Sequence, residues 1–222
     1  MTTVLETPPL PRRTNGHLPP PPPATGGGDG PDREPTPRRS GLDNLRLAIL
    51  FFIGAESMFF AALISALFVL RLGTPVWPPP LQPRLPVGVT GVNTLVLLAS
   101  SWAMLAAGRA LRHDDRRALI RGLAAAAALG MLFLAVQGYE WARLVSFGLT
   151  VTSGTYGTTF YTLIGTHALH VFGALIWLGV TLALAARGSF SSVRTSPVRA
   201  CAMYWHFVVG LWPILYVTVY LL

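Results

Sequence analysis

Residues 44–72 read NLRLAILFFIGAESMFFAALISALFVLRL, an apolar run whose charged side chains are Arg46, Glu56 and Arg71. About 20 helical residues, each rising 1.5 Å, cross a membrane hydrocarbon core about 30 Å thick. Because lipid offers no hydrogen bonds, the backbone polar groups of such a run have to be satisfied within the segment. The stretch is therefore predicted to be a transmembrane helix.

Four further apolar stretches of similar length follow along the chain. Over its 222 residues, 52% are hydrophobic and only 12% are charged, a balance that excludes an ordinary water-soluble domain. We expect an all-α, polytopic membrane bundle of five transmembrane helices. Its spans are predicted at about residues 44–72, 87–111, 117–145, 156–186 and 199–222.

The N-terminal segment has a different composition. The first forty residues contain 11 of the 19 prolines, and they include no long apolar run. A chain of this kind buries too little apolar surface to offset the entropy lost on ordering. Residues 1–41 are predicted to be a disordered, cytoplasmic, Pro/Gly/Arg-rich tail, and residues 42–222 the five-helix domain.

The basic residues indicate topology rather than nucleic-acid binding. The net charge is +8, all 17 basic residues are arginine, and they lie between the apolar segments instead of on one face. Under the positive-inside rule, their distribution places the N-terminus in the cytoplasm and the C-terminus outside. One side has Arg38, Arg39, Arg46, Arg109, Arg112, Arg116, Arg117, Arg121, Arg187, Arg194 and Arg199; the other has Arg71, Arg84 and Arg143.

Two carboxylates lie inside the predicted spans, where an acid costs about 2.5 to 3.5 kcal/mol on insertion scales. Glu56 is near the middle of its span among aromatic and aliphatic residues, and we expect it to be buried and protonatable. It either exchanges a proton or serves packing as a neutral, hydrogen-bonded acid. Glu140 is nearer the outer end and three residues before Arg143, a spacing that favours an ion pair.

Three histidines also lie in the spans: His167, His170 and His206. Residues three apart differ by about 60° around a helix, so His167 and His170 share a face. With His206 and Glu56 they could form a metal site, or they could link helices through hydrogen bonds. The single cysteine, Cys201, excludes an intrachain disulfide and paired-thiolate metal motifs.

Other features concern packing and lipid contact. Gly122, Ala126 and Gly130 recur every four residues, either as a stripe for close approach of another helix or as part of an alanine-rich membrane helix. Aromatic and basic residues near span ends commonly contact lipid headgroups. The candidates for such contact are Trp102, Arg143, Arg199 and Trp205. The sequence contains no recognisable catalytic motif of its own.

Several segments, in their order along the chain, resemble the signature blocks of subunit III of haem-copper terminal oxidases. The blocks are AESMFFAAL (55–63), Trp77-Pro78-Pro79, VNTLVLLASSW (92–102), QGYEW (137–141), TFYTLIGTHALHVFGALI (159–176) and YWHFVVGLWPILYVTVYLL (204–222). The likeness covers about residues 42–222 and resembles the five-helix form of the family.

The resemblance implies an accessory subunit that binds no metal or haem itself. Haem and copper are expected in its partners, catalytic subunit I and subunit II, in a bacterial cytoplasmic (inner) membrane. The chain would bind structural phospholipid and support proton uptake and sustained turnover. The residues that match the family's intramembrane acids and histidines are Glu56, Glu140, His167, His170 and His206.

One position departs from the family pattern. Where the terminal block commonly has an aspartate, this chain has Val209 followed by Gly210. The aspartate's interaction cannot be made here, which leaves open a divergent branch or a different partner oxidase. Two alternatives also stay open: an accessory subunit of a nitric-oxide reductase, which has the same fold, and a small proton-coupled channel or carrier using Glu56 and Glu140.

Overall fold

A computed structural model describes residues 44–79, 85–190 and 195–222 of the chain. They form five α-helices, and α5 continues into a π-helical turn, Val217–Leu221. The helices are α1 (Asn44–Leu72), α2 (Val87–Arg112), α3 (Arg116–Ser146), α4 (Thr155–Ala186) and α5 (Ser196–Tyr216). Each is long and apolar enough to cross a membrane, α5 together with its π turn. The predicted five-helix, all-α architecture is confirmed for this part of the chain.

Some predictions concern residues outside the described ranges. The tail of residues 1–41 lies there, as do Arg38, Arg39, Arg84 and Arg194. The disorder of the tail and the orientation of the bundle across the membrane therefore stay predictions.

Local sequence accounts for two helix boundaries. The side chain of Asp115 caps α3 by accepting a hydrogen bond from the Ala118 N–H, with Oδ1 and N 2.9 Å apart. Helix α5 begins at Ser196, three residues earlier than expected. Pro197 accounts for the difference, because a proline in the first turn removes an N–H that has no partner within the helix anyway.

Helices α2 and α3 pack most extensively, α4 and α5 pack against them, and α1 packs on α5 and, less closely, on α4. Only Phe60 and Leu67 of α1 are buried within the chain. The outer face of α1 therefore consists of exposed apolar side chains such as Phe51, Met58 and Val69, which suits lipid or another membrane subunit.

The small-residue stripe on α3 is where two helices come close. A β-carbon added at Gly122 would lie 2.8 Å from Cβ of Ala107 on α2. A β-carbon added at Gly130 would lie 2.5 Å from Cη2 of Trp205 on α5. Ala126, between these glycines, is fully buried. The stripe is therefore a close-packing surface, as one of the two interpretations predicted.

Two arginines tie helix ends together. Arg71, at the end of α1, donates a hydrogen bond to the carbonyl of Leu222. Arg116, at the start of α3, donates to the carbonyls of Ala185 and Ala186 in the last turn of α4. Because the end of α1 meets the end of the α5 segment, the starts of these two helices lie together at the other end of the bundle.

Candidate functional site

A short polar contact inside the bundle joins α1 to α4. Oε2 of Glu56 lies 2.9 Å from Nε2 of His170. Nδ1 of His170 lies 2.7 Å from the carbonyl oxygen of Thr166, one helical turn earlier. Glu56 is thirteenth in a helix of 29 residues, so the pair lies near the middle of the span. The sequence predicts an interhelical role for Glu56, and its contact in this structure is His170.

The hydrogen bonding fixes how many protons the pair shares. A carbonyl oxygen only accepts, so Nδ1 of His170 carries a proton. At 2.9 Å, two bare acceptors would repel each other, so the contact requires a further proton on one of the two groups, although Nε2 and Oε2 are not aligned as a regular hydrogen bond. The pair is therefore either a carboxylic acid beside a neutral imidazole or a carboxylate beside an imidazolium, and one proton distinguishes the two forms.

Aromatic rings surround this pair. Phe60 contacts His170 edge to face, with ring centroids 5.1 Å apart, and Phe59 lies 6.3 Å from the same imidazole. Oε2 of Glu56 is shielded from solvent, and no donor in the described part of the chain is aligned on it for a regular hydrogen bond. In such apolar surroundings the electrostatic interaction with His170 is stronger than it would be in water.

Glu56 is less buried than the sequence predicts. Its side chain is 17% exposed and that of His170 is 20% exposed. The reason is the peripheral position of α1, which has only two buried residues and leaves both members of the pair partly exposed at the surface of the bundle.

His167 shares the helical face of His170 but has a different environment. It is fully buried, and neither ring nitrogen has a hydrogen-bond partner among the described residues. Its ring stacks on the indole of Trp212 on α5, with centroids 5.1 Å apart. Buried polar atoms without partners are typical positions for internal water.

His206 lies elsewhere, so the three-histidine arrangement does not form. Nδ1 of His206 is 2.5 Å from Oγ of Ser101 on α2, and the ring lines a separate cavity. Over residues 44–79, 85–190 and 195–222, no group of three or more His, Cys, Asp or Glu side chains is placed to hold a metal ion. Among the described residues, His170 and His206 contact polar side chains of other helices, whereas His167 has no hydrogen-bond partner.

Glu140 forms the expected ion pair with Arg143. Nη1 of Arg143 lies 3.4 Å from Oε1 of Glu140, whose side chain is 6% exposed, whereas that of Arg143 is 49% exposed. In the preceding turn, Gln137 donates a hydrogen bond to the hydroxyl of Tyr220, with 3.2 Å between the atoms. This second acid therefore pairs with a permanently charged arginine on its own helix, unlike Glu56.

Burial contradicts one of the predicted headgroup contacts, that of Trp205. Trp205 is 1% exposed, and its Nε1 donates to Oγ of Ser100 across the α2–α5 contact, because the indole fills the space beside Gly130. Trp102 is 70% exposed. Like Arg143 and Arg199, it stays a candidate for headgroup contact.

A set of polar contacts that α2 makes with α5 and with α3 was missed from the sequence. Nε1 of Trp212 donates to Oγ1 of Thr94 at 2.8 Å, and Nδ2 of Asn93 donates to the carbonyl of Phe133 at 3.0 Å. The available signal was the spacing of polar residues within the apolar α2 segment. Asn93 and Thr94 follow Thr90 by three and four residues, and Ser100 and Ser101 follow Asn93 and Thr94 by seven, so the five residues fall on one side of the helix.

Comparison with known proteins now identifies the family. The family model for cytochrome c oxidase subunit III matches residues 38–222. Cytochrome c oxidase subunit 3 of Synechocystis sp. is 38% identical over 184 residues, covering 82% of this chain and 78% of that protein. The Thermostichus vulcanus protein of the same name is 33% identical over 177 residues, covering 79% and 86%.

A mitochondrial relative gives the same result. Cytochrome c oxidase subunit 3 of Sus scrofa is 35% identical over 182 residues, covering 79% of this chain and 69% of that protein. The family match extends over all five helices, including the segments that contain Glu56 and His170. The chain therefore belongs to the cytochrome c oxidase subunit III family, whose members are accessory subunits of haem-copper oxidases.

Proposed function

We propose that this chain is the non-redox subunit III of a proton-pumping oxidase in a bacterial inner membrane, packed beside catalytic subunit I and assembled with subunit II. It binds structural phospholipid, and it supports proton uptake through the Glu56–His170 pair. Haem and copper belong to the partner subunits in this proposal. The oxidase interpretation is favoured over a nitric-oxide reductase because the three relatives described are all named cytochrome c oxidase subunit 3.

The observation that carries the proton-handling role is the 2.9 Å contact between Glu56 and His170. It holds one proton that can reside on either residue, at a depth where an isolated acid is expensive. Both side chains are partly exposed at the surface of the bundle, where a proton donor or acceptor of the partner subunit can reach the pair.

The contacts of two histidines support the proposal that this chain itself holds no haem or copper. His170 contacts Glu56 and the Thr166 carbonyl, and His206 contacts Ser101. An axial haem ligand or a copper ligand needs a free ring nitrogen aimed at a common point with other ligands. These contacts occupy three of the four ring nitrogens of the two residues.

Copurification tests membership of the complex. The full chain is tagged and purified from its native membrane in mild detergent, and the preparation is examined for haem spectra and oxygen consumption. Haem-containing subunits should copurify, and elemental analysis of the separated chain should find no stoichiometric metal. A stable chain with no haem-containing partner, or with its own bound metal, would contradict the proposal.

Substitution tests the proton-handling role in the same complex. Glu56→Gln removes the shared proton while keeping the shape of the side chain, so oxygen consumption should decline faster during sustained turnover and proton uptake should slow. Glu140→Gln is the matched control, because its acid is held by Arg143 and lies near the end of α3. Equal effects of the two substitutions would contradict a specific role for Glu56.

A further inference from the structure

The indole of Trp212 lies at the centre of a buried polar cluster where four helices meet. Trp212 belongs to α5 and is fully buried, and its Nε1 donates to Oγ1 of Thr94 on α2. Its ring stacks on the imidazole of His167 on α4, with centroids 5.1 Å apart. Phe133 of α3 contacts the same indole edge to face at 4.9 Å. Polar groups of different helices are therefore held around one aromatic side chain.

Polar atoms without partners are concentrated in this cluster. Of the six buried side-chain polar atoms that have no hydrogen-bond partner in the described part of the chain, four lie around this indole. They are Nδ1 and Nε2 of His167, Oδ1 of Asn93 and Oγ1 of Thr90, and the three residues are at most 3% exposed. Leaving such atoms unpaired destabilises a fold, so a partner is expected for them.

A hydrogen bond between α3 and α5 extends the cluster. Nε2 of Gln137 donates to the hydroxyl of Tyr220, whose ring centroid lies 6.4 Å from that of Trp212. Because the hydroxyl accepts this bond, its own proton is available to another acceptor. Oγ1 of Thr90 lies close to this hydroxyl without making a regular hydrogen bond to it. The cluster therefore offers donors as well as acceptors.

The balance of donors and acceptors decides what can bind. His167 forms no ion pair among the described residues, so at this depth its imidazole is neutral, with one N–H and one bare nitrogen. Oδ1 of Asn93 only accepts, whereas the hydroxyl of Thr90 can do both. An anion would need several donors, and a cation would need oxygens without an N–H among them. Water donates and accepts, so it matches this mixed set.

There is room for water beside Asn93. This residue also lines a cavity of about 400 Å³ between α2 and α3, and it is the one polar side chain in a lining of glycine, valine and leucine. Gly88, the second residue of α2, lies in the same lining, so the cavity extends from the end of the helix to Asn93, about 8 Å along the axis. Water therefore has a route from the membrane surface to the cluster.

We propose that internal water binds in this cluster, accepting the N–H of His167 and donating to Oδ1 of Asn93 and Oγ1 of Thr90. A buried water typically makes about three hydrogen bonds to groups that would otherwise be unsatisfied. The bound water links α4 to α2 beside the indole of Trp212, where the two helices have no direct side-chain hydrogen bond in the described part of the chain.

This water site is distinct from the Glu56–His170 pair. Phe60 of α1 is 1% exposed and packs edge to face against both imidazoles, with centroids 6.2 Å from His167 and 5.1 Å from His170. An apolar ring thus accompanies both histidines, and each has its own polar surroundings. The water site is also independent of the proposed oxidase role, since it depends only on groups within this chain.

Hydroxyl-radical footprinting tests for the water in the wild-type chain, purified with its copurifying subunits. X-ray radiolysis converts bound water into radicals that oxidise the adjacent side chains, even where bulk solvent does not reach. Trp212 should be oxidised although it is fully buried. Trp205 is the matched control, because it is 1% exposed and its Nε1 donates to Ser100, so it should stay unmodified. Equal oxidation of the two tryptophans, whether high or low, would overturn the water site.

A substitution of His167 locates the water. His167→Phe removes both ring nitrogens and keeps an aromatic ring against Trp212, so oxidation of Trp212 should fall to the level of Trp205. His206→Phe makes the same chemical change where the imidazole contacts Ser101, and it should leave oxidation of Trp212 unchanged. Unchanged oxidation of Trp212 in H167F, or equal decreases in the two variants, would overturn the site.

Thermal unfolding of the same preparations gives an independent result. If the cluster were dry, His167→Phe would remove two unpartnered polar atoms, and the unfolding temperature should rise. With water bound, the substitution removes hydrogen bonds and leaves Asn93 and Thr90 without their partner, so the unfolding temperature should fall. A higher unfolding temperature for H167F than for the wild-type chain would overturn the site. If H167F does not assemble, the wild-type comparison of Trp212 with Trp205 decides.

Discussion

Trp205 occupies the space that a side chain at Gly130 would need: a β-carbon at residue 130 would lie 2.5 Å from Cη2 of the indole and 3.0 Å from Cδ2 of Leu175. The contact brings α3, α4 and α5 together at one point. It shows why a glycine, which lowers helix propensity, is placed in the middle of a membrane helix. Close approach of the helices compensates for that lower propensity.

Gly130→Ala should therefore destabilise the bundle. The added methyl group forces the indole or α3 to move, and overpacking of this kind costs about 1 to 3 kcal/mol. The measurement is thermal unfolding in detergent. Gly138→Ala on the same helix is the control, since a β-carbon added there would have nothing within 4 Å. A larger loss in G138A than in G130A would contradict the packing argument.

Trp205 and Trp102 should respond very differently to truncation. Trp205→Ala empties a fully buried site and should lower the free energy of unfolding by about 3 to 5 kcal/mol. Trp102→Ala removes a side chain that is 70% exposed and should change it by less than about 0.5 kcal/mol. Denaturant unfolding of the two variants in the same detergent measures both values, and comparable losses would show that Trp205 is not the core residue described.

The Asp115 cap at the start of α3 should contribute measurably to the stability of the chain. Asp115→Ala removes the acceptor for the Ala118 N–H and should cost about 1 kcal/mol. Asp115→Asn keeps an acceptor at that position and should cost only a few tenths of a kcal/mol. Equal unfolding temperatures for the alanine variant and the wild-type chain would refute the cap.

The five helices could be predicted from the sequence because length and apolarity alone determine whether a segment crosses a membrane. Which face of each helix turns inward was harder to predict. Trp205 and Trp102 look alike in the sequence, yet one fills the core and the other faces outward, since that depends on how α5 meets α3. Lipid is as apolar as the core, so hydropathy does not distinguish the two faces.

Contacts between residues far apart in the chain could not be predicted from the sequence, for a related reason. Glu56 and His170 could each be identified as unusual within a span, but they lie on helices far apart in the chain, and only the α1–α4 contact brings them together. Arg46, Arg112 and Arg199 likewise line one cavity only because three helix ends meet there. By contrast, the Glu140–Arg143 pair could be predicted because both residues lie on one helix, three apart.

Val209 shows what a departure from the family pattern implies physically. The residue is 2% exposed, so the position at which the sequence resemblance leads us to expect an acid lies inside the bundle of this chain. Val209→Asp should lower the free energy of unfolding by about 2.5 to 3.5 kcal/mol, the cost of an intramembrane acid on insertion scales. Val209→Thr, of similar volume, is the control and should cost less; an unchanged unfolding midpoint for V209D would reveal an existing partner for the acid.

The coupling between Glu56 and His170 should exceed that between Glu140 and Arg143. A double-mutant cycle with Glu56→Gln and His170→Gln should give about 1 kcal/mol, within the range for polar contacts between membrane helices. The cycle with Glu140→Gln and Arg143→Gln should give about 0.5 kcal/mol or less, because Arg143 is half exposed. Unfolding free energies of the four single and two double variants supply both values. Coupling near zero for Glu56 and His170 would mean that no shared proton stabilises the α1–α4 contact, and the proton-handling role would then lose its structural basis.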